Sequence, residues 1–342
     1  MQCKVIGIDL AKRTMQVCQL GTDHRVMSNK KVSRKDLLSY LSKIDPQVPI
    51  AMEACATSNY WGRQLQALGR KVTLIPAQHV KPLVGHQKND ANDAVAICEA
   101  SLRPRIYPVP VKSIESQDIQ SLRRIRQRHV DNCRAIGSQI RGLCGEYGLC
   151  FKESYKSLRL ELQVALDDET NEFSALFRGE LRELYSEFLA CELKVKRMDR
   201  QLQSVVKQHP CNDLLRGIPG VGPIISAALI SELGDGRRFC RGREFSASCG
   251  LIPRQYSSGG NEKLLGITKN GDRELRTLLI HGARAVVYRY KTRDNALGRW
   301  LSALIARRGI HKAIVAFANK LARITWAVLR YQQPFEMSKA FG

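Results

Sequence analysis

Two short apolar runs near the start of the chain each end on a carboxylate, Val5-Ile6-Gly7-Ile8-Asp9 and Val48-Pro49-Ile50-Ala51-Met52-Glu53. Strand-like and helix-like patterns alternate around them. Met15-Gln16-Val17-Cys18 continues as strand, and Gly21-Thr22-Asp23 turns the chain toward Val26. Ser33-Arg34-Lys35-Asp36 opens a helix through Leu37, Leu38 and Leu41. A helix near Tyr60–Leu68 and a strand at Val72–Ile75 follow. Asn89-Asp90-Ala91-Asn92-Asp93 then leads into a helix carrying Ala94, Ile97 and Ala100. Such alternation predicts an α/β layered domain over residues 1–110, bounded by Pro104, Pro108 and Pro110.

From about residue 113 the pattern changes to long helices. Ile119, Leu122, Ile125, Cys133, Ile136, Ile140 and Leu143 keep helical spacing, with Arg123, Arg124, Arg126, Arg128, Arg134 and Arg141 interleaved. Leu181, Leu184, Phe188, Cys191, Val195, Met198, Leu202 and Val205 then recur in alternating steps of three and four. That is a heptad seam, so residues 111–210 are expected to form a coiled-coil region. It pairs either with the first helix or with another subunit, and some intermolecular pairing is expected.

The remaining segment, 211–342, reads as a basic, mainly α-helical domain, with helices over Asp272–Tyr290, Ala296–Arg307 and Lys312–Tyr331. It begins with Ile218-Pro219-Gly220-Val221-Gly222-Pro223 before a helix over Ile224–Leu233. This resembles a helix-hairpin-helix element, whose turn amides at Gly220 and Gly222 hold a DNA phosphate. A tight turn without ligand fits the same residues. Charge favours a polyanionic partner: 55 Lys or Arg stand against 32 Asp or Glu, a net +23, an excess that nucleic acid would neutralise. No run of 18 apolar residues predicts a membrane span, and the start has no signal-peptide layout. None of the 11 cysteines forms a C-x-x-C pair. Reduced core thiols in a cytoplasmic protein are therefore expected.

The acids carry the chemistry. Cleaving a phosphodiester puts charge on the attacking and leaving oxygens, which two Mg²⁺ ions about 4 Å apart can stabilise. Carboxylates suit Mg²⁺ and leave room for phosphate and water, and ligand type alone admits Mn²⁺ equally. If their strands are neighbours, Asp9 and Glu53 emerge at one sheet edge. Asp90 and Asp93 share a helix face. Taken singly, Asp9 could end a strand, Glu53 could face solvent and Asp90 could be an N-cap. Together, with a hairpin between the first strand and the strand ending in Glu53, they match an RNase-H-like, RuvC-like layout.

At this point the chain resembles the DEDD-type insertion-sequence transposases, a family that includes the Piv DNA invertase. The matching pieces are Gly7-Ile8-Asp9-Leu10-Ala11-Lys12, Met52-Glu53-Ala54 and Lys88-Asn89-Asp90-Ala91-Asn92-Asp93-Ala94. Ile218-Pro219-Gly220-Val221-Gly222, Gly250-Leu251-Ile252-Pro253-Arg254 and Ser257-Ser258-Gly259-Gly260 follow in the family's order. From the residues alone, Arg254 to Gly260 is a phosphate-contacting turn, because a serine needs activation to attack. The resemblance implies instead that Ser258, with Ser257 its immediate neighbour, is a nucleophile forming a transient serine–DNA phosphodiester alongside metal-bound Asp9, Glu53, Asp90 and Asp93. It also implies a non-coding RNA guide, donor and target DNA, and a homodimer or homotetramer.

Base pairing would then choose sequence and leave the protein to hold backbones. Arg123, Arg124, Arg126, Arg128, Arg254, Gly259, Lys269, Arg273 and Arg276 are the candidates for that task. His79, Lys81, His86 and Lys88 flank the active-site helix and either touch nucleic acid or are solvated loop residues. His281 is expected to pack in the core. Tyr256 either stacks on a base or packs. The competing activity is RuvC-like hydrolysis of junction DNA without a serine intermediate, and a third reading is a non-catalytic nucleic-acid-binding protein.

Overall fold

The computed structural model describes residues 2–85, 89–104 and 106–341. Contacts divide the chain into two compact units, residues 1–117 with 235–241, and residues 118–234 with 242–342. Most of the helical middle segment and most of the C-terminal segment fall in the second unit.

The first unit is a mixed sheet of β1 (Cys3–Asp9), β2 (Thr14–Gly21), β3 (Val26–Ser33), β4 (Ile50–Glu53) and β5 (Val72–Ile75), in the order β3-β2-β1-β4-β5. β1, β2 and β3 form an antiparallel meander, whereas β4 and β5 run parallel to β1. Parallel neighbours need crossovers, supplied by α1 (Leu37–Ser42) and α2 (Ser58–Ala67). Alternation of side chains divides the core between the two faces. Ile6, Ile8, Met15, Val17 and Met52 meet Leu37, Leu41, Trp61 and Leu65 of these helices on one side.

On the other face, Val5, Cys18, Leu20 and Ala51 meet Ala94, Ile97 and Cys98. These three belong to α4 (Asp90–Ser101), which follows a short α3 (Ala77–Val80) and a 3-10 turn at Lys81–Leu83. Gly7 makes the close seat possible, since a Cβ there would lie 2.5 Å from both the Ala94 carbonyl oxygen and Cys98 Sγ.

The second unit begins with long helices. α5 (Ile114–Gly145), α6 (Tyr155–Asp167) and α7 (Ala175–Lys207) bury Cys133, Ile136, Ile140, Leu158, Leu162, Leu181 and Phe188 together. Much of the heptad seam of α7 is thus covered within the chain. Its last step also differs: Val205 is 40% exposed and Val206 is buried. Toward its end α7 packs on the helix over Pro223–Leu233, and the burial follows α7's own 3.6-residue period. Ile125 and Leu143, expected on the buried face of α5, are exposed, while Arg123 is 1% exposed.

Beyond these lie α8 (Asn212–Arg216), α9 (Pro223–Leu233), α10 (Gly242–Ser248), the antiparallel hairpin β6 (Pro253–Gln255) and β7 (Leu264–Ile267), α11 (Arg273–Tyr290), α12 (Ala296–Arg308), α13 (Ile310–Tyr331) and α14 (Met337–Phe341). α9 is apolar on nearly every side and sits between α7 and α11. Among the described residues no helix is long and apolar enough to cross a membrane, and every cysteine is free.

Candidate active site

The parallel register decides where the first two acids meet. Ile6, Gly7 and Ile8 pair with Ile50, Ala51 and Met52, so the next positions, Asp9 and Glu53, end neighbouring strands at one sheet edge. The other two acids arrive on α4. Asn89 caps this helix, its side chain accepting the Asn92 amide at 2.8 Å. The capping task that sequence alone offered Asp90 is therefore done by its neighbour, and Asp90 and Asp93 occupy the first turn.

A polar relay ties that turn to the sheet. Gln16, paired with Asp9 across β1 and β2, donates to Asn29 Oδ1 at 2.7 Å, and Asn29 Nδ2 donates to the Ala91 carbonyl at 3.0 Å. Lys31 Nζ lies 4.0 Å from Asp90 Oδ2, with both side chains exposed.

The acids sense one another. Asp9 is pushed up to about 6, first by its burial and then by the charges of Asp93, Asp90 and Glu53. Cys55 is pushed up to about 11 by burial, Glu53 and Asp9, so it stands at the rim as a neutral thiol. Four oxygen donors beside a protonated thiol suit a hard divalent cation, and such a cation would relieve the repulsion that raises Asp9. Among the described residues, no group of three or more His, Cys, Asp or Glu is already assembled to hold a metal. The donor set fits the chemistry of such a cation, and the charges of Asp93, Asp90 and Glu53 reach Asp9.

Gln16, Asn29 and Cys55 were not singled out by sequence. The polar relay has no spacing signature, because its members come from three elements. His79 is half-buried on α3 and Lys81 is exposed, whereas His86 and Lys88 lie outside the described residues.

Ser258 belongs to the second unit and lies near the tip of the β6–β7 hairpin. Its backbone pairs with Asn261 across Gly259 and Gly260, both at positive φ. The two adjacent serines differ. Ser257 Oγ accepts from the Lys263 amide at 3.2 Å and from Gln255 Nε2 at 3.1 Å. Ser258 is exposed, and its hydroxyl makes no hydrogen bond among the described residues. The base of the hairpin is fixed by backbone fit: a Cβ on Gly250 would lie 2.3 Å from the Asn270 carbonyl oxygen.

The candidate nucleic-acid contacts divide by burial. Arg123 is buried and joins three elements, with Nη1 2.7 Å from Ser231 Oγ and 3.2 Å from Glu232, and Nη2 3.0 Å from Glu274. Arg276 is 9% exposed and donates to the Cys249 and Asn270 carbonyls. Both are internal ties in this structure, contrary to the expectation that they face nucleic acid: each cation lies on a helix face turned into the unit. Arg126 is paired with Asp199. Arg124, Arg128, Arg254, Lys269 and Arg273 are exposed.

The Gly220 turn is set by close approach. Gly220 has φ +89°, and a Cβ there would lie 2.8 Å from Val286 Cγ2 and 2.9 Å from the Gly282 carbonyl oxygen. Pro223 opens α9 and Gly222 precedes it. A cleft of about 700 Å³ lies over this turn, lined among others by Arg126, Arg216, Gly222, His281 and Arg289. His281 is exposed and lines this cleft, contrary to the packed-core expectation, because the apolar stripe of α11 passes through Leu279, Ala283 and Val286.

Similarity to known proteins bears on both units. A family model described as "Transposase", for the DEDD transposases of IS110, matches residues 6–148. A second, described as "Transposase IS116/IS110/IS902 family", matches residues 212–298. A "Probable family 20 transposase" of Pseudomonas aeruginosa is 41% identical over 96% of this chain and 97% of its own length. The "Transposase for insertion sequence element IS1111A" of Coxiella burnetii is 39% identical over 97% of this chain and 91% of its own. A "Pilin gene-inverting protein" of Moraxella bovis is 29% identical over 42% of this chain and 45% of its own. The chain belongs to the IS116/IS110/IS902 family of insertion-sequence transposases, enzymes that cut and rejoin DNA.

Proposed function

We propose that the protein moves an insertion sequence by serine-dependent strand exchange: Asp9, Glu53, Asp90 and Asp93 hold Mg²⁺ in an RNase-H-like domain and Ser258 is the nucleophile. The observation that carries this reading is the convergence of two strand-end acids with two helix-turn acids, registered in the raised Asp9. The β3-β2-β1-β4-β5 order, three antiparallel strands followed by two parallel ones, supports the RNase-H-like, RuvC-like assignment.

Bound by these acids, a divalent cation supplies charge neutralisation at the phosphate oxygens, and Mn²⁺ suits the same donors. The Ser258 hydroxyl attacks phosphorus. The Oγ–P bond forms, the bond to the leaving deoxyribose oxygen breaks, and the hydroxyl proton passes overall to that leaving oxygen. Attack by the hydroxyl of another strand reverses the exchange and frees the serine. Each step conserves one phosphodiester, so rejoining needs no external energy source. The exposed, unengaged hydroxyl of Ser258, against the engaged one of Ser257, supports the first as nucleophile.

Holding the DNA falls to exposed cations and to the α9 turn, whose first-turn amides together with Arg216 and Arg289 suit a backbone phosphate. Arg124, Arg128, Arg254, Lys269 and Arg273 remain candidates for backbone contact. A non-coding RNA that pairs with donor and target DNA would choose the sequence. The acting form is a homodimer or homotetramer. With much of the α7 seam covered internally, exposed Leu160, Val164, Leu176 and Leu193 offer the apolar surface for that pairing.

The test is a covalent-adduct assay with Mg²⁺, the guide RNA and labelled DNA, denatured before electrophoresis. An adduct lost in Ser258→Ala and kept in Ser257→Ala is expected. Free cleaved ends from an active Ser258→Ala enzyme would establish hydrolysis instead.

A further inference from the structure

The hairpin carrying Ser258 sorts its side chains onto two faces. Gln255 pairs with Leu264, the Tyr256 amide donates to the Lys263 carbonyl at 2.9 Å, and Ser258 pairs with Asn261. These pairings keep one register. They close on the two-residue turn Gly259-Gly260, with φ +55° and +82°, as a type I′ hairpin requires. Successive residues of a strand alternate faces, and directly opposed residues share one. Tyr256, Ser258, Asn261 and Lys263 therefore belong to one face, and Gln255, Ser257, Glu262 and Leu264 to the other. The bond from Gln255 Nε2 to Ser257 Oγ agrees with that division.

The first face is furnished for a nucleotide. The side chain of Tyr256 is in water, the residue being 74% exposed, and its ring meets no other ring or cation among the described residues. Lys263, directly opposite, is exposed and has no acid partner among them. An exposed aromatic is a stacking surface for any base, and a cation beside it suits a phosphate. Tyr256 and Ser258 stand about 7 Å apart along the strand, the scale of one nucleotide. The surrounding segment, residues 211–342, holds 22 Lys or Arg against 9 Asp or Glu, which favours a polyanion over an apolar partner.

We propose that Tyr256 and Lys263 form a nucleotide clamp. The ring stacks on a base unstacked from the DNA strand beside the phosphate that Ser258 attacks, and the ammonium holds an adjoining phosphate. The clamp rests on the reading of Ser258 as nucleophile and adds that the strand is locally opened at the cut.

The test uses full-length protein and a short oligothymidylate carrying one 5-iodouracil, cross-linked by light and mapped by mass spectrometry. A cross-link at Tyr256 is expected. Tyr256→Ala should weaken binding about 5- to 100-fold, and Tyr256→Phe should stay within about twofold because the ring is kept. Lys263→Ala should reduce the slope of log K against log salt by about 0.7, a change Tyr256→Ala should not produce. Wild-type affinity in Tyr256→Ala overturns the clamp, as does a loss in Tyr256→Phe equal to that in Tyr256→Ala. Binding reads the clamp and the adduct assay reads the nucleophile. Tyr256-dependent binding without any adduct leaves Tyr256 as a nucleotide contact, removes Ser258 from the chemistry and overturns the placement of the clamp beside the cut. An adduct with Tyr256-independent binding keeps Ser258 in the chemistry and overturns the clamp.

Discussion

The four acids and the serine are mounted in opposite ways. Asp9 and Glu53 end strands whose preceding residues, Ile8 and Met52, are fully buried, and α4 is clamped to the same sheet through Gly7 and the Gln16–Asn29 relay. The positions of the acids are therefore fixed by core packing, at a cost in burial and in mutual repulsion that appears as the raised Asp9. Ser258 sits on a two-stranded hairpin whose β6 and β7 residues are exposed except for Ile267. A lone hairpin is marginal in water. Its stability here comes from its base, where Gly250 and Arg276 lock the flanking chain. The difference teaches that the four acids are held by a packed core, whereas the hairpin of Ser258 depends on its base.

Hydrogen exchange can break that contrast most directly. Amides of β1 and β4 should be protected at least about 10³-fold more than those of residues 254–265, and equal protection would end the distinction. Asp9→Asn should cut adduct formation by roughly 10²- to 10³-fold with the fold intact, the scale of losing one well-placed electrostatic group; unchanged circular dichroism with lost activity is the expected pair of readings. Arg123→Ala should cost about 3–5 kcal/mol in denaturant unfolding, because it removes the buried cation that Glu232 and Glu274 both face. Arg124→Ala, at an exposed position, should cost little.

Gly7→Ala should destabilise by about 1–3 kcal/mol and lower activity as well, since α4 must move and takes Asp90 and Asp93 with it. Loss of stability without loss of activity would show that the seat of α4 does not set the site. The smallest effect concerns pH. Folded Asp9 holds its proton up to about pH 6 against 3.8 for an ordinary aspartate, so folding takes up protons between these values. Metal-free stability should then fall as pH rises from about 4 to 6 and stay level above. Asp9→Asn should flatten that fall, and added Mg²⁺ should raise Tm more at pH 7.5 than at pH 5, by a few degrees. A metal-independent Tm at both pH values would count against the acids as the metal site.

Much of this was legible because it depends on local rules. Apolar runs and turn residues marked β1, β4 and β5, and Asn89-Asp90-Ala91-Asn92-Asp93 marked the start of α4. The cap of α4 was read as Asp90 where Asn89 holds it, since both side chains can accept an amide. The β6–β7 hairpin was legible only as a glycine turn, its strands being short and exposed. Arg123 was misread for a physical reason: periodicity reports where a side chain points, not whether acids from distant segments will meet it. Glu232 and Glu274 do so only in the folded unit. His281 was misread conversely, because one polar residue among apolar ones on α11 can face either the core or a cleft.

The sequence by itself determined the alternation of strands and helices, the excess of positive charge and the identity of the acids, all properties of residue type and spacing. Only the tertiary structure decided that β1 and β4 are parallel neighbours, so that Asp9 and Glu53 share an edge, and that Asp9 is raised by its burial and by the charges of Asp93, Asp90 and Glu53. Those are contacts across scores of residues. Their energies arise from burial and from charges brought together, which spacing along a chain does not encode.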